Sequence, residues 1–67
     1  MEILVNNIKS FFTADVLTVD ELLKEKNFTF KLLVVKINGK LIKRTEYKTT
    51  TVHDGDNVAV IHMISGG

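Results

Sequence analysis

The residues best placed to do chemistry in this chain are its last three, Ser65-Gly66-Gly67, which follow an apolar β-type run from Asn57 to Ile64. A strand that feeds two glycines is expected to present the carboxylate of Gly67 on a thin, flexible stalk, residues 64–67. Glycine has no Cβ, so two in succession pass where no other side chain fits. A terminal α-carboxyl titrates near ~3.5, so the group is ionised at neutral pH and is a poor electrophile. Nothing else in the sequence can activate it. There is no cysteine, and the two histidines, His53 and His62, fall in different predicted elements with no nucleophile–base pair. Gly67 therefore reads as a reactive group that an ATP-binding partner must activate, by turning the carboxylate into a mixed anhydride. The competing reading is a frayed terminus with no role.

The remaining composition limits what else the chain can do. Its 67 residues allow one small domain and no second core. A hydrophobic content of 45% belongs to a folded globule rather than a disordered segment. The absence of cysteine removes disulfides, thiolate-bound zinc and iron–sulfur clusters, and a small domain without such staples fits the reducing cytosol. Net charge is +1 with the lysines scattered, which does not make the basic face of a nucleic-acid binder. No run is long enough to span a membrane, and Met1 to Val5 lacks the basic start of a secretory signal.

Hydrophobic periodicity supplies the elements that must carry the tail. Glu2 to Asn6 alternates as a strand, with Ile3 and Val5 on one face and Leu4 on the other. Asn6-Asn7 can adopt the positive φ of a tight hairpin, from which Ile8 to Phe12 returns. Thr18-Val19-Asp20-Glu21 is a capping box, and Val19, Leu22, Leu23 and Lys26 follow at helical spacing. Leu17 precedes the cap as a staple toward Leu22, and Asn27 is the predicted left-handed stop. Lys31 to Asn38 is the longest β run. Asn38-Gly39 is the strongest hairpin signal, and Lys40 to Lys43 comes back from it. Arg44-Thr45-Glu46-Tyr47 has no period and reads as a turn or 3₁₀ segment. Asp54-Gly55-Asp56 is a tight turn into the last strand. The order β-β-α-β-β-β predicts an α+β fold, a mixed sheet with one helix across one face and the first and last strands side by side in its centre.

Those segments carry a family resemblance along the whole chain. Val35-Lys36-Ile37-Asn38-Gly39 resembles the V-x-V-N-G strand and turn of the ThiS family. Arg44-Thr45-Glu46-Tyr47 is similar to its R-S-E-[YW] segment, Asp54-Gly55-Asp56-Asn57-Val58 to its D-G-D-x-V segment, and Gly66-Gly67 to its diglycine. Ile3-x-Val5-Asn6 and Thr18-Val19-x-x-Leu22-Leu23 agree as well. Family members often place proline where this chain has Lys43, and Val, Ala or a third Gly where it has Ile64 and Ser65.

The resemblance implies a ubiquitin-like β-grasp fold and a carrier role rather than an enzymatic one. It implies that Gly67 is adenylated by a ThiF-like enzyme using ATP. The adenylate is then converted to a thiocarboxylate with sulfur from a donor such as a cysteine desulfurase. The sulfur passes to thiazole synthase in thiamine biosynthesis. No bound cofactor or metal is implied. A carrier for molybdopterin or a sulfur amino acid, a ubiquitin-like modifier joined to lysines, and a passive β-grasp module are the other readings. The absence of cysteine excludes the β-grasp ferredoxins.

A partner that takes the tail needs somewhere to hold the globule. Ordering Ile64 to Gly67 costs about 1–2 kcal/mol per residue in backbone entropy, which contacts elsewhere must offset. If Val58 and Val60 face the helix, then Ala59, Ile61 and Met63 face away from it beside Leu4, forming an apolar docking patch next to the tail. A dimer interface or a second small core is the alternative use of that patch. Arg44 and Tyr47 read as packing elements. His62 lacks a second metal ligand, and Asp54 and Asp56 read as turn formers.

Overall fold

The two asparagine turns set the topology. In the computed structural model, which describes residues 1–28 and 33–62, Asn6 and Asn7 have φ of 52° and 67°, and Asn38 and Gly39 have φ of 51° and 83°. Both are the left-handed pairs that a two-residue hairpin requires. The first joins β1 (Glu2–Val5) to β2 (Ile8–Phe11), and the second joins β4 (Leu33–Ile37) to β5 (Lys40–Ile42). The last strand, β7 (Asn57–His62), lies between the hairpins in a five-stranded sheet of order β2-β1-β7-β4-β5. It runs parallel to β1, with Leu4 level with Asn57 and Val5 with Val58, and antiparallel to β4. First and last strands are therefore neighbours, as their two-sided apolar character predicts.

Between the hairpins sits α1 (Val19–Glu25). Its first three amides all find acceptors. Val19 N–H donates to the Thr50 carbonyl at 2.9 Å, Asp20 N–H to the Tyr47 carbonyl at 3.0 Å, and Glu21 N–H to Thr18 Oγ1 at 3.1 Å. The Glu21 carboxylate in turn accepts from Thr18 N–H at 2.9 Å, which completes the capping box. Those bonds, backbone first, hold the Glu21 carboxyl below its usual value. A lowered carboxyl contributes stability above its unfolded value and loses it as pH falls through the folded one. Thr18→Ala should lower unfolding stability by about 1 kcal/mol, read from the urea midpoint at unchanged m-value.

The helix ends where Asn27 takes φ 57°. Asn27 N–H donates to the Lys24 carbonyl at 3.0 Å and Phe28 N–H to the Leu23 carbonyl at 2.8 Å, the bond pair of a Schellman stop. Val19, Leu22 and Leu23 are buried against Ile3, Val5, Val35, Ile42, Val58 and Val60 on one sheet face. Leu17 packs against the same core from just before the cap.

Two short strands go beyond the expected five, while the 3₁₀ segment is found where it is predicted. Val16–Thr18 (β3) and Thr51–His53 (β6) pair antiparallel as a second, two-stranded sheet beside the helix N-terminus, with Val52 fully buried. Arg44–Glu46 forms the 3₁₀ turn that precedes it. Its Glu46 carboxylate accepts from Lys43 N–H at 2.9 Å, and Tyr47 behind it is buried, which pushes its phenol up. The strand predicted from Lys31 is observed from Leu33, because Lys31 and Leu32 lie outside the described residues. Among the described residues no helix is long and apolar enough to cross a membrane.

Candidate functional site

Register assigns every strand residue to a face. Ile3, Val5, Val58 and Val60 face the helix and are buried. Leu4, Asn57, Ala59 and Ile61 must then face away from it. Cross-strand pairing extends this second face in both directions. Ile61 is opposite Val34, Ala59 opposite Lys36, Lys36 opposite Leu41, Leu4 opposite Lys9, and Glu2 opposite Phe11. The result is an open apolar band across the sheet. Leu4, Val34 and Ala59 are half-buried, while Ile61 is 45%, Leu41 56% and Phe11 72% exposed. Lys9 and Lys36 punctuate the band with positive charge. A contiguous apolar surface set among charged side chains has the composition of a docking face.

The structure thus brings three of the predicted patch residues, Leu4, Ala59 and Ile61, onto one face. Met63, the fourth, lies outside the described residues, as do Ile64, Ser65, Gly66 and Gly67. Val34, Leu41 and Phe11 belong to the face but were not among the predicted residues. Their alternation was visible in sequence, yet which side of the sheet each edge strand turns outward depends on long-range register.

At the end of the sheet where β7 begins, the turn motifs interlock. Asn38 Nδ2 donates to Asp56 Oδ1 at 3.0 Å, Asn57 N–H donates to Asn38 Oδ1 at 2.9 Å, and Asn38 N–H donates to the Asn57 carbonyl at 2.7 Å. Asp56 Oδ2 accepts from His53 N–H at 2.8 Å, and Asp54 Oδ1 accepts from Glu2 N–H at 2.7 Å. Gly55, at φ 87°, donates to the Glu2 carbonyl at 2.8 Å. The two aspartates are thus engaged with the turn and its neighbours, in keeping with their reading as turn formers. They fasten the start of β7 to both flanking hairpins, and so fix which of its side chains reach the open face.

The far half of β7 has a different neighbour. Asn6 N–H donates to the Val58 carbonyl at 2.9 Å, and there the chain turns away into β2. The Asn6 side chain continues the pairing: its Nδ2 donates to the Val60 carbonyl at 3.1 Å and its Oδ1 accepts from Val60 N–H at 2.8 Å. His53 in β6 and His62 at the end of β7 stand in different sheets. Among the described residues no cluster of His, Asp or Glu could hold a metal ion.

Known proteins match this chain and its fold. The ThiS family model covers residues 3–67. The chain belongs to the ThiS family. A crystal structure of the thiamine biosynthesis protein ThiS from Geobacter metallireducens is similar over the full length of both chains, with 33% identity and a TM-score of 0.90. A solution structure of a thiamine biosynthesis protein from the same organism has 32% identity and a TM-score of 0.80, covering 100% of this chain and 88% of that one. No curated protein matches significantly. The fold is accordingly the ubiquitin-like β-grasp of ThiS sulfur carriers, with β3 and β6 added to the expected order.

Proposed function

We propose that the protein carries sulfur as a thiocarboxylate on Gly67 and delivers it to thiazole formation in thiamine biosynthesis, working in the cytoplasm as a co-substrate of other enzymes rather than as a catalyst. The ThiS family match across residues 3–67, which includes Gly66-Gly67, carries this reading.

The chemistry balances with partners of defined class. On a ThiF-like enzyme, a carboxylate oxygen of Gly67 attacks the α-phosphorus of ATP and pyrophosphate leaves. Sulfur from a donor such as a cysteine desulfurase, released as hydrosulfide by a thiol reductant, attacks the carbonyl carbon of the acyl-adenylate. The bond to the phosphate oxygen breaks, AMP leaves, and the thiocarboxylate remains. Thiazole synthase is the proposed acceptor. The carrier contributes a reachable carboxylate and a surface that holds it in place, and proximity of that kind is worth several orders of magnitude in rate. The band of Leu4, Ala59 and Ile61, extended by Val34 and Leu41, is the proposed surface, to which the strand alternation in the sequence adds Met63.

Intact-mass analysis tests the reading. Incubation with the activating enzyme, ATP and sulfide should raise the mass by about 16 Da, the exchange of one oxygen for sulfur at the acyl carbon. Conjugates joined through Gly67 to lysines of other proteins would replace this reading with that of a modifier. An unchanged mass would refute both.

A further inference from the structure

We infer that Asn6 is a positioning residue for the Gly67 tail, its side-chain amide standing in for the strand that β1 no longer supplies beside Val60. This rests on the carrier reading above.

The parallel pairing of β1 with β7 covers only Leu4–Asn57 and Val5–Val58. Beyond it β1 turns back, while β7 runs on to His62. On its other edge β7 stays paired with β4 as far as Leu33 opposite His62. The β1 edge at Val60 is closed by one side chain. Asn6 takes both backbone groups of Val60, at 2.8 and 3.1 Å, as a neighbouring strand would. Val60 is buried and the two bonds are partly so, which leaves its N–H and C=O without another protein partner at this edge if the clamp is lost.

Few residues can do this. The position needs φ near 52°, which asparagine and glycine tolerate, and a planar group carrying one donor and one acceptor. Glycine meets the first demand only. Aspartate keeps the acceptor for Val60 N–H but sets a second oxygen against the Val60 carbonyl. Asn7, next in the same turn at φ 67°, is exposed, and no hydrogen bond of its side chain is found among the described residues.

That contrast makes the test. Asn6→Gly keeps the turn and deletes the clamp. Asn7→Gly makes the same kind of change one residue on and creates Asn-Gly, a strong hairpin pair. With activating enzyme, ATP and sulfide, Asn6→Gly should lose about ten-fold in kcat for thiocarboxylate formation, with KM within about two-fold because the docking face is intact. Amide exchange at Val60 and Ile61 should quicken while the β4–β5 amides hold. Asn6→Asp, which retains one of the two bonds, should fall between, and it carries the test should Asn6→Gly prove too unstable to assay. Asn7→Gly should match the wild type. If the wild type is charged and Asn6→Gly and Asn6→Asp are charged at the same kcat, or if Val60 exchange is unchanged in both, the inference is wrong and the carrier reading stands. If the wild type itself takes no sulfur, the carrier reading falls and takes this inference with it.

Discussion

A chain ending at Gly66 should melt like the 67-residue protein and yet take up no measurable sulfur. The two expectations have separate grounds. Among the described residues the buried core runs from Ile3 to Val60, and Gly67, being glycine, has no side chain to withdraw from it. The chemistry is less forgiving. One residue fewer withdraws the carboxylate by about 3.5 Å. A misplacement of about 1 Å already costs on the order of a hundred-fold when reacting atoms must be aligned. Charging should therefore drop by at least about a thousand-fold. Intact mass over time, beside a thermal melt of each chain, checks both halves. Sulfur uptake by the shortened chain within about ten-fold of normal would mean that the reacting carbonyl is not that of Gly67.

Ile61→Asp should be the most damaging change on the open face. Ile61 is 45% exposed in the free protein and stands opposite Val34, on the face it shares with Ala59 and Leu41. If a partner dries that surface, a carboxylate there must be desolvated, which Lys36 on the same face offsets only in part, a penalty of about 3 kcal/mol or a hundred-fold in kcat/KM. The loss should appear mainly in KM, because the tail and its chemistry are untouched. Two comparisons separate docking from folding. Ile61→Thr keeps a β-branched side chain and should lose much less. Ile8→Asp places the same charge on another exposed isoleucine, 67% exposed, whose register with Val5 puts it on the opposite face, and it should leave charging unchanged. Equal losses from Ile61→Asp and Ile8→Asp would rule out the band as the docking surface.

How far the sequence foretells this fold depends on the range of the interaction. Asn38-Gly39, the Thr18–Glu21 box and the Asn27 stop are set by residues a few positions apart, and each is found where local chemistry puts it. The pairing of β1 with β7 followed from a subtler cue, that both strands are apolar on both faces. The β3–β6 sheet left no such trace. Val16-Leu17-Thr18 and Thr51-Val52-His53 are too short to show a period, and each is a strand only because the other lies beside it. The same limit hid the breadth of the open face. Leu41 lies between Lys40 and Ile42, and only its pairing with Lys36 settles which way it points. Asn6 was visible as a turn former, but its grip on Val60, 54 positions away, was not.

The placing of β7 has a consequence for how the molecule comes into being. Among the described residues it is the last strand in sequence and the middle strand of the five-stranded sheet, and within that sheet the hairpins are joined through it. A chain made only as far as Gly55 has no strand pairing between its two ribbons, which share only the core they form with α1, and ribbons of that size are marginal in water. Assembly must therefore wait for a contact between the chain's opposite ends, the slow kind of closure. On the carrier reading proposed above, no half-built chain can present itself to an activating enzyme. The molecule is available for charging only once it is whole.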